Sequence, residues 1–148
     1  MEKKTRVLVA DDHKFFRVLL RKLLESIGCE VVGEATDGLE ALDLFALKKP
    51  DVMLLDIEMP NKNGFEVLKQ IKGSYPDARI IMLTSVADLE MVKKCIGNGA
   101  SNYLLKDISR EVLKTALIKS IIETEKEKKE SLNDDSGDSK PEPGILKV

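Results

Sequence analysis

The stretch DVMLLDIEMPNKNG, residues 51–64, decides how this chain folds. Four apolar residues, Val52 to Leu55, run straight into Asp56, and Pro60 and Gly64 then end any regular structure. An apolar run this short, closed by turn residues, reads as a strand buried on both faces. Its tip carries a carboxylate, whose loss of water is costly unless something nearby compensates. What compensates Asp56 is the question the rest of the chain has to answer.

Working outward, short β-branched or apolar runs alternate with segments of helical periodicity, the pattern of a parallel sheet covered on both faces by helices. The strands expected are 6–10 (RVLVA), 30–35 (EVVGEA), 51–55 (DVMLL), 79–83 (RIIML) and 101–105 (SNYLL). Helices are expected near 14–27, 38–48, 64–72, 88–97 and 109 to about 128, with Gly28, Gly38, Pro50, Gly64, Gly73, Pro76 and the Gly97-Asn98-Gly99 group at the joints. Beyond about Glu123 the chain turns to charge runs with Ser, Gly and Pro, so residues 1–125 read as one domain and 126–148 as a charged, flexible tail. PGILKV near the end is the one stretch of that tail that could dock.

Composition narrows the classes of function. The 148 residues carry 24 Lys and Arg against 26 Asp and Glu, a formal net charge of −2, which leaves no basic footprint for binding nucleic acid by this chain alone. No apolar run approaches the ~18 residues of a membrane span, so a cytoplasmic protein without membrane contact is expected. Cys29 and Cys95 match no zinc or redox spacing and read as small apolar fillers. The single His13 cannot build a histidine-based metal site or a Ser/His/Asp set, and reads as a surface loop residue.

In open parallel sheets, ligands gather beyond the carboxyl ends of the strands. The first strand delivers Asp11 and Asp12 there, the third Asp56, the fourth Thr84 and Ser85, the fifth Lys106. Carboxylates so close take up a proton or hold a cation. Oxygen ligands without His or Cys favour Mg²⁺, with Mn²⁺ as a second cation. Lys106 and Thr84 are donors and suit anionic oxygens rather than a metal. A phosphoryl group beside the cation fits both halves of the set, with Asp56 as nucleophile. Singly, each residue has a plainer role, such as a helix cap for Asp107 or Ser109; jointly, each stands at the end of a strand where this chemistry needs it.

VLVADDH, DVMLLDIEMPNKNG, IIMLTS and NYLLKD together resemble the motifs of response-regulator receiver domains of two-component signalling, over roughly residues 5–125. The resemblance implies a doubly wound, flavodoxin-like α/β fold with a five-stranded parallel sheet of order 2-1-3-4-5. It implies that Asp56 accepts a phosphoryl group from a histidine kinase or a histidine phosphotransfer protein. Mg²⁺ would be held by Asp12, Asp56 and the backbone carbonyl of Glu58, with Asp11 acting through a water. Thr84 and Lys106 map onto the switch hydroxyl and the phosphate-binding lysine, and Tyr103 onto the switch aromatic. Glu58 and Val86, two positions after Asp56 and Thr84, should tune the lifetime of the acyl phosphate. The output would be a changed surface of the fourth helix, fifth strand and fifth helix, read by an unknown partner; a monomer or weak dimer is expected. Where many receivers have a Pro after the lysine, in a cis peptide, this chain has Asp107, and a trans bond is expected. The motifs are closest to the branch that precedes a helix-turn-helix domain, for which these residues leave no room, so a stand-alone receiver or part of a longer regulator is expected.

The first helix, HKFFRVLLRKLLESIG, has more apolar residues than one core stripe needs. At ~100° per residue, Phe16, Leu20, Leu23, Leu24 and Ile27 share a side, leaving Phe15 and Val18 off it and Leu19 on its margin. These three are the candidate docking face for the phosphodonor. Competing readings are weaker. An aspartyl-nucleophile phosphatase of the haloacid dehalogenase type would need Asp where Glu58 stands and Thr where Pro60 stands. A phosphorylation-independent scaffold has no use for the full acidic set, and flavin binding would need a phosphate-cradling loop. The expectation is therefore a switch that catalyses only its own phosphorylation and slow dephosphorylation, not an enzyme turning over a metabolite.

Overall fold

The computed structural model describes residues 3–85 and 88–133. Five strands, β1 (Thr5–Ala10), β2 (Cys29–Ala35), β3 (Val52–Asp56), β4 (Ile80–Thr84) and β5 (Asn102–Leu105), alternate with α1 (Lys14–Ser26), α2 (Gly38–Lys48), α3 (Gly64–Ser74), α4 (Leu89–Gly97) and α5 (Arg110–Asn133). The sheet is parallel throughout, in the order β2-β1-β3-β4-β5. This is the doubly wound architecture expected from the alternation of elements.

The period of two along each strand sorts the core into two layers. Leu8, Ala10, Met53, Leu55, Ile80 and Met82 pack with Phe45, Val67, Leu68 and Cys95 from α2, α3 and α4. Val7, Val9, Val52, Leu54, Ile81 and Leu83 face the other way, against Leu20 and Leu24 of α1 and Leu113, Ala116 and Leu117 of α5. Every residue of β3 and β4 is buried, as a central parallel strand with helices on both faces must be. Cys29 and Cys95 are free, buried thiols in this packing.

The helices begin where the side chains say they should. Asp37, Asn63 and Asp88 accept hydrogen bonds from the backbone N–H groups of Glu40, Glu66 and Met91, capping α2, α3 and α4. Ser109 caps α5 by accepting from the Val112 N–H at 3.2 Å. Two boundaries differ from expectation in a way that bears on function: Asp56 and Thr84 are the last residues of their strands, not the first beyond them, because the Ile57 and Lys106 N–H groups extend the ladder to Leu83 and Thr84. Helix α5 runs to Asn133, past the expected end near 128, through a Glu/Lys-rich sequence whose residues are good helix formers with opposite charges three and four apart. PGILKV lies outside the described residues.

Candidate functional site

The sheet register brings the candidate residues together. Ala10 pairs with Leu55 and Asp56 with Leu83, so the ends of β1, β3 and β4 lie side by side, and β5 adds Lys106 next to Thr84. Asp11 is wholly buried, Asp56 is 2% exposed and Thr84 is also buried, while Asp12 is exposed. The Lys106 ammonium lies 2.7 Å from Asp11 Oδ2 and 3.1 Å from Asp56 Oδ2. Both contacts are ion pairs, so the one ammonium is shared between the two buried carboxyls. Asp56 Oδ1 accepts from the Glu58 backbone N–H at 3.1 Å, which fixes the carboxyl plane from its other side.

Electrostatics follow from this crowding. Burial, and then the nearby Asp11 charge, push the Asp56 carboxyl up to about 6, although Lys106 and the Glu58 N–H favour its ionised form. Burial alone would lower the Lys106 pKa, but Asp11 and Asp56 outweigh it and the ammonium is held more firmly than usual. The site thus has a carboxylate that is costly to keep charged and an ammonium that keeps its proton. Ligand atoms from Asp11, Asp12, His13 and Asp56 all lie within 4.8 Å of one another. Three carboxylates gathered in this span, with one ammonium to offset the buried pair, suit a small divalent cation.

Other expected residues fall as follows. Tyr103 is half-buried on β5, packed against the layer that holds α2, α3 and α4. Phe15 is 90% exposed, and Val18 and Leu19 are exposed beside it, while Phe16, Leu23 and Ile27 pack inward. Glu58 is exposed, and Val86 lies outside the described residues. All peptide bonds among the described residues are trans, that between Lys106 and Asp107 included.

Three residues play parts here that the sequence pattern did not announce. His13 is not a bare loop residue: its Nδ1 stands 3.3 Å from Asp11 Oδ1 and 3.2 Å from Asp12 Oδ1. Arg17 donates to the Asp11 carbonyl at 2.8 Å and pairs with Glu34, bracing the loop that carries the acids. Phe16 places its ring 5.1 Å below the Lys106 ammonium, a cation–π contact. Adjacency to the Asp pair was the one signal for His13; helical spacing put Phe16 on the inward face but not against Lys106, and nothing in it marks Arg17.

Residues 7–118 match the family model described as the response regulator receiver domain. The chain belongs to this family. Among curated relatives, Protein CcdB of Bacillus subtilis is 42% identical over 102 residues, covering 69% of this chain and 85% of the relative. Chemotaxis protein CheY of Thermotoga maritima is 39% identical over 101 residues, covering 68% and 84%. Among solved structures, a CheX–CheY complex from Borrelia burgdorferi containing BeF₃ and Mg²⁺ matches with a TM-score of 0.74 at 28% identity, covering 77% of this chain and 87% of that one. Receiver domains are signalling switches of two-component systems, with Mg²⁺ bound in an acidic pocket, and the Asp11, Asp12 and Asp56 cluster of this receiver fits that cation. Among the described residues no helix is long and apolar enough to cross a membrane.

Proposed function

We infer that this receiver is a phosphoacceptor switch with Asp56 as the accepting residue. The observation that carries the reading is the buried Asp56 carboxyl, held between the Glu58 N–H and the Lys106 ammonium at the edge of an acidic cluster. An Asp56 oxygen attacks the phosphorus of a donor phosphohistidine; the P–N bond breaks, its electron pair leaves with the donor imidazole, and an acyl phosphate remains on Asp56. Lys106 reaches Asp56 already, so its ammonium is within reach of oxygens on a phosphoryl group carried there, and the Thr84 hydroxyl at the adjacent strand end is a second donor. Asp11, Asp12, Asp56 and the Glu58 backbone carbonyl are the residues that would hold Mg²⁺ or Mn²⁺, which supplies positive charge to offset that of the transferring group. The BeF₃ and Mg²⁺ present with the neighbouring CheY support this assignment. Water attack on the acyl phosphate later resets the switch, and Glu58 flanks its path.

The partners follow from the surfaces. Phe15, Val18 and Leu19 form an exposed apolar strip on α1 beside the site, suited to the helices of a histidine kinase or phosphotransfer protein. Thr84 and Tyr103 link the site to the surface of α4, β5 and α5, where an output protein would read the change. Incubation with a small phosphodonor and Mg²⁺, read by intact mass, tests the assignment. One phosphoryl group should be added, lost in Asp56→Asn and absent with chelator; equal labelling of Asp56→Asn would overturn it.

A further inference from the structure

The loop that carries Asp11 and Asp12 is held by a guanidinium. Arg17 lies in the first turn of α1, where its own N–H donates to the His13 carbonyl at 3.0 Å. Helix side chains lean towards the N-terminus, and that of Arg17 folds back over the loop. Its Nη1 donates to the Asp11 carbonyl at 2.8 Å, and its Nε to Glu34 Oε1 at 3.1 Å. Glu34, on β2, is engaged at its other oxygen by Arg21, whose Nη2 stands 2.6 Å from Oε2. The next residue of β2, Ala35, accepts from the Asp11 N–H at 3.0 Å. The main chain of Asp11 is thus tied to β2 twice, directly at its N–H and through Arg17 at its carbonyl. Only 13% of the Arg17 side chain is exposed, so the second tie is largely shielded from water.

The Asp11 carbonyl belongs to the planar peptide unit that also carries the Asp12 N–H and Cα. Restraining that oxygen restrains the plane from which the exposed Asp12 delivers its carboxylate to the cluster. Mg²⁺ demands near-ideal octahedral geometry, so a ligand carried on a swinging peptide binds it poorly. We propose that Arg17, anchored by Glu34, is a positioning residue for cation binding: it sets the Asp11–Asp12 peptide, and through it the Asp12 carboxylate, without touching the cation. The inference rests on the acidic cluster being the cation site described above. This role runs against the charge of the residue. A guanidinium near three acids repels a divalent cation, so by charge alone its loss would tighten Mg²⁺ binding. Positioning requires the reverse.

Calorimetric titration with Mg²⁺ at pH 7.5 separates the two. Arg17→Met should weaken Mg²⁺ about tenfold or more, the loss typical when a group that orients a metal ligand is removed. Arg17→Lys keeps the charge but lacks the fork that serves Asp11 and Glu34 together, and should weaken Mg²⁺ as well. Arg21→Met removes the same charge one turn further along, where the contacts are with Glu25 and Glu34, and should not weaken it. In phosphorylation by a small phosphodonor, Arg17→Met should need more Mg²⁺ for half its maximal rate, while the rate at saturating Mg²⁺ stays within about twofold of the parent, a split that general loss of structure does not produce. Unchanged or tighter Mg²⁺ binding in the Arg17 variants, with binding weakened in Asp12→Ala, would overturn the role of Arg17 and leave the cation site standing. Equal weakening in Arg21→Met would also overturn it, by assigning the effect to the ion pairs rather than to the tie on Asp11. Unchanged affinity in Asp12→Ala would overturn the site and the inference with it.

Discussion

The ammonium of Lys106 stands 3.1 Å from Oδ2 of Asp56, a residue fifty positions earlier in the chain. Together with the 2.7 Å approach to Asp11, this makes one side chain from the edge of the sheet the counter-charge for two acids at its centre. Lys106→Ala should therefore cost the cation-free protein about 1–3 kcal/mol, since two buried carboxylates would face each other without their cation. Added Mg²⁺ should raise the melting temperature more in the variant than in the parent. Equal increments would mean that Lys106 does not offset the repulsion a cation relieves.

Asp56 carries a pH dependence of definite sign. Its folded-state pKa is raised to about 6 from 3.8, so the folded protein holds the proton more tightly than the unfolded chain does. Stability of the cation-free protein should then fall as pH rises from about 4 to about 6 and stay at the lower level above. Asp56→Asn removes this penalty but also half of Lys106's partnership, so a net gain of about 1–2 kcal/mol is expected at pH 7.5, shrinking towards pH 4. Urea unfolding in chelator at the two pH values measures it. A gain that does not change between them would assign the effect to something other than this carboxyl.

Gly64 is required by space rather than by backbone angle. A Cβ there would overlap the Asp56 carbonyl oxygen and lie 2.8 Å from Ile57 Cα. Gly64→Ala should destabilise by about 1–3 kcal/mol and slow phosphorylation, because the displaced backbone is that of the acceptor. Gly73, later in the same helix, has nothing within 4 Å of an added Cβ. Gly73→Ala should instead stabilise by about 0.5–1 kcal/mol and leave phosphorylation unchanged. Similar losses of stability in both variants would refute the steric account.

Thr84→Ala should still accept phosphate, because nucleophile, acids and Lys106 remain, but its conformational response should be smaller around Tyr103. A phosphoryl group shifts the protein only as far as it favours one arrangement over another, and the Thr84 hydroxyl is the donor that would supply the preference. Amide shifts with and without a phosphoryl mimic, compared between parent and variant, read the response. Identical changes near Tyr103 would mean that this hydroxyl does not couple site and surface.

The legible part of the molecule was the part governed by period and punctuation. Val52 to Leu55 read as a two-faced strand, and with five strands running parallel in one sheet Asp11, Asp56, Thr84 and Lys106 emerge at the same end of it. The exposed strip of Phe15, Val18 and Leu19 followed from helical spacing in the same way. His13, Arg17 and the contact of Phe16 with Lys106 escaped because they depend on how the start of α1 leans over the strand ends, an angle no spacing encodes. The reach of α5 to Asn133 escaped for another reason: Glu and Lys suit both a helix and a solvated tail, and composition alone does not choose between them.

The site is divided between elements of unequal resistance to opening. Asp11 and Asp56 are mounted on β1 and β3, which have a hydrogen-bonded neighbour on each side, whereas Lys106 follows β5, a four-residue strand at the sheet's margin. Local unfolding is cheapest at such margins and approaches the global free energy at the centre. Amide exchange should accordingly be slowest in β1 and β3 and markedly faster in β5. The acids would keep their spacing while the strand that carries their counter-charge detaches and returns many times within the life of a single native molecule.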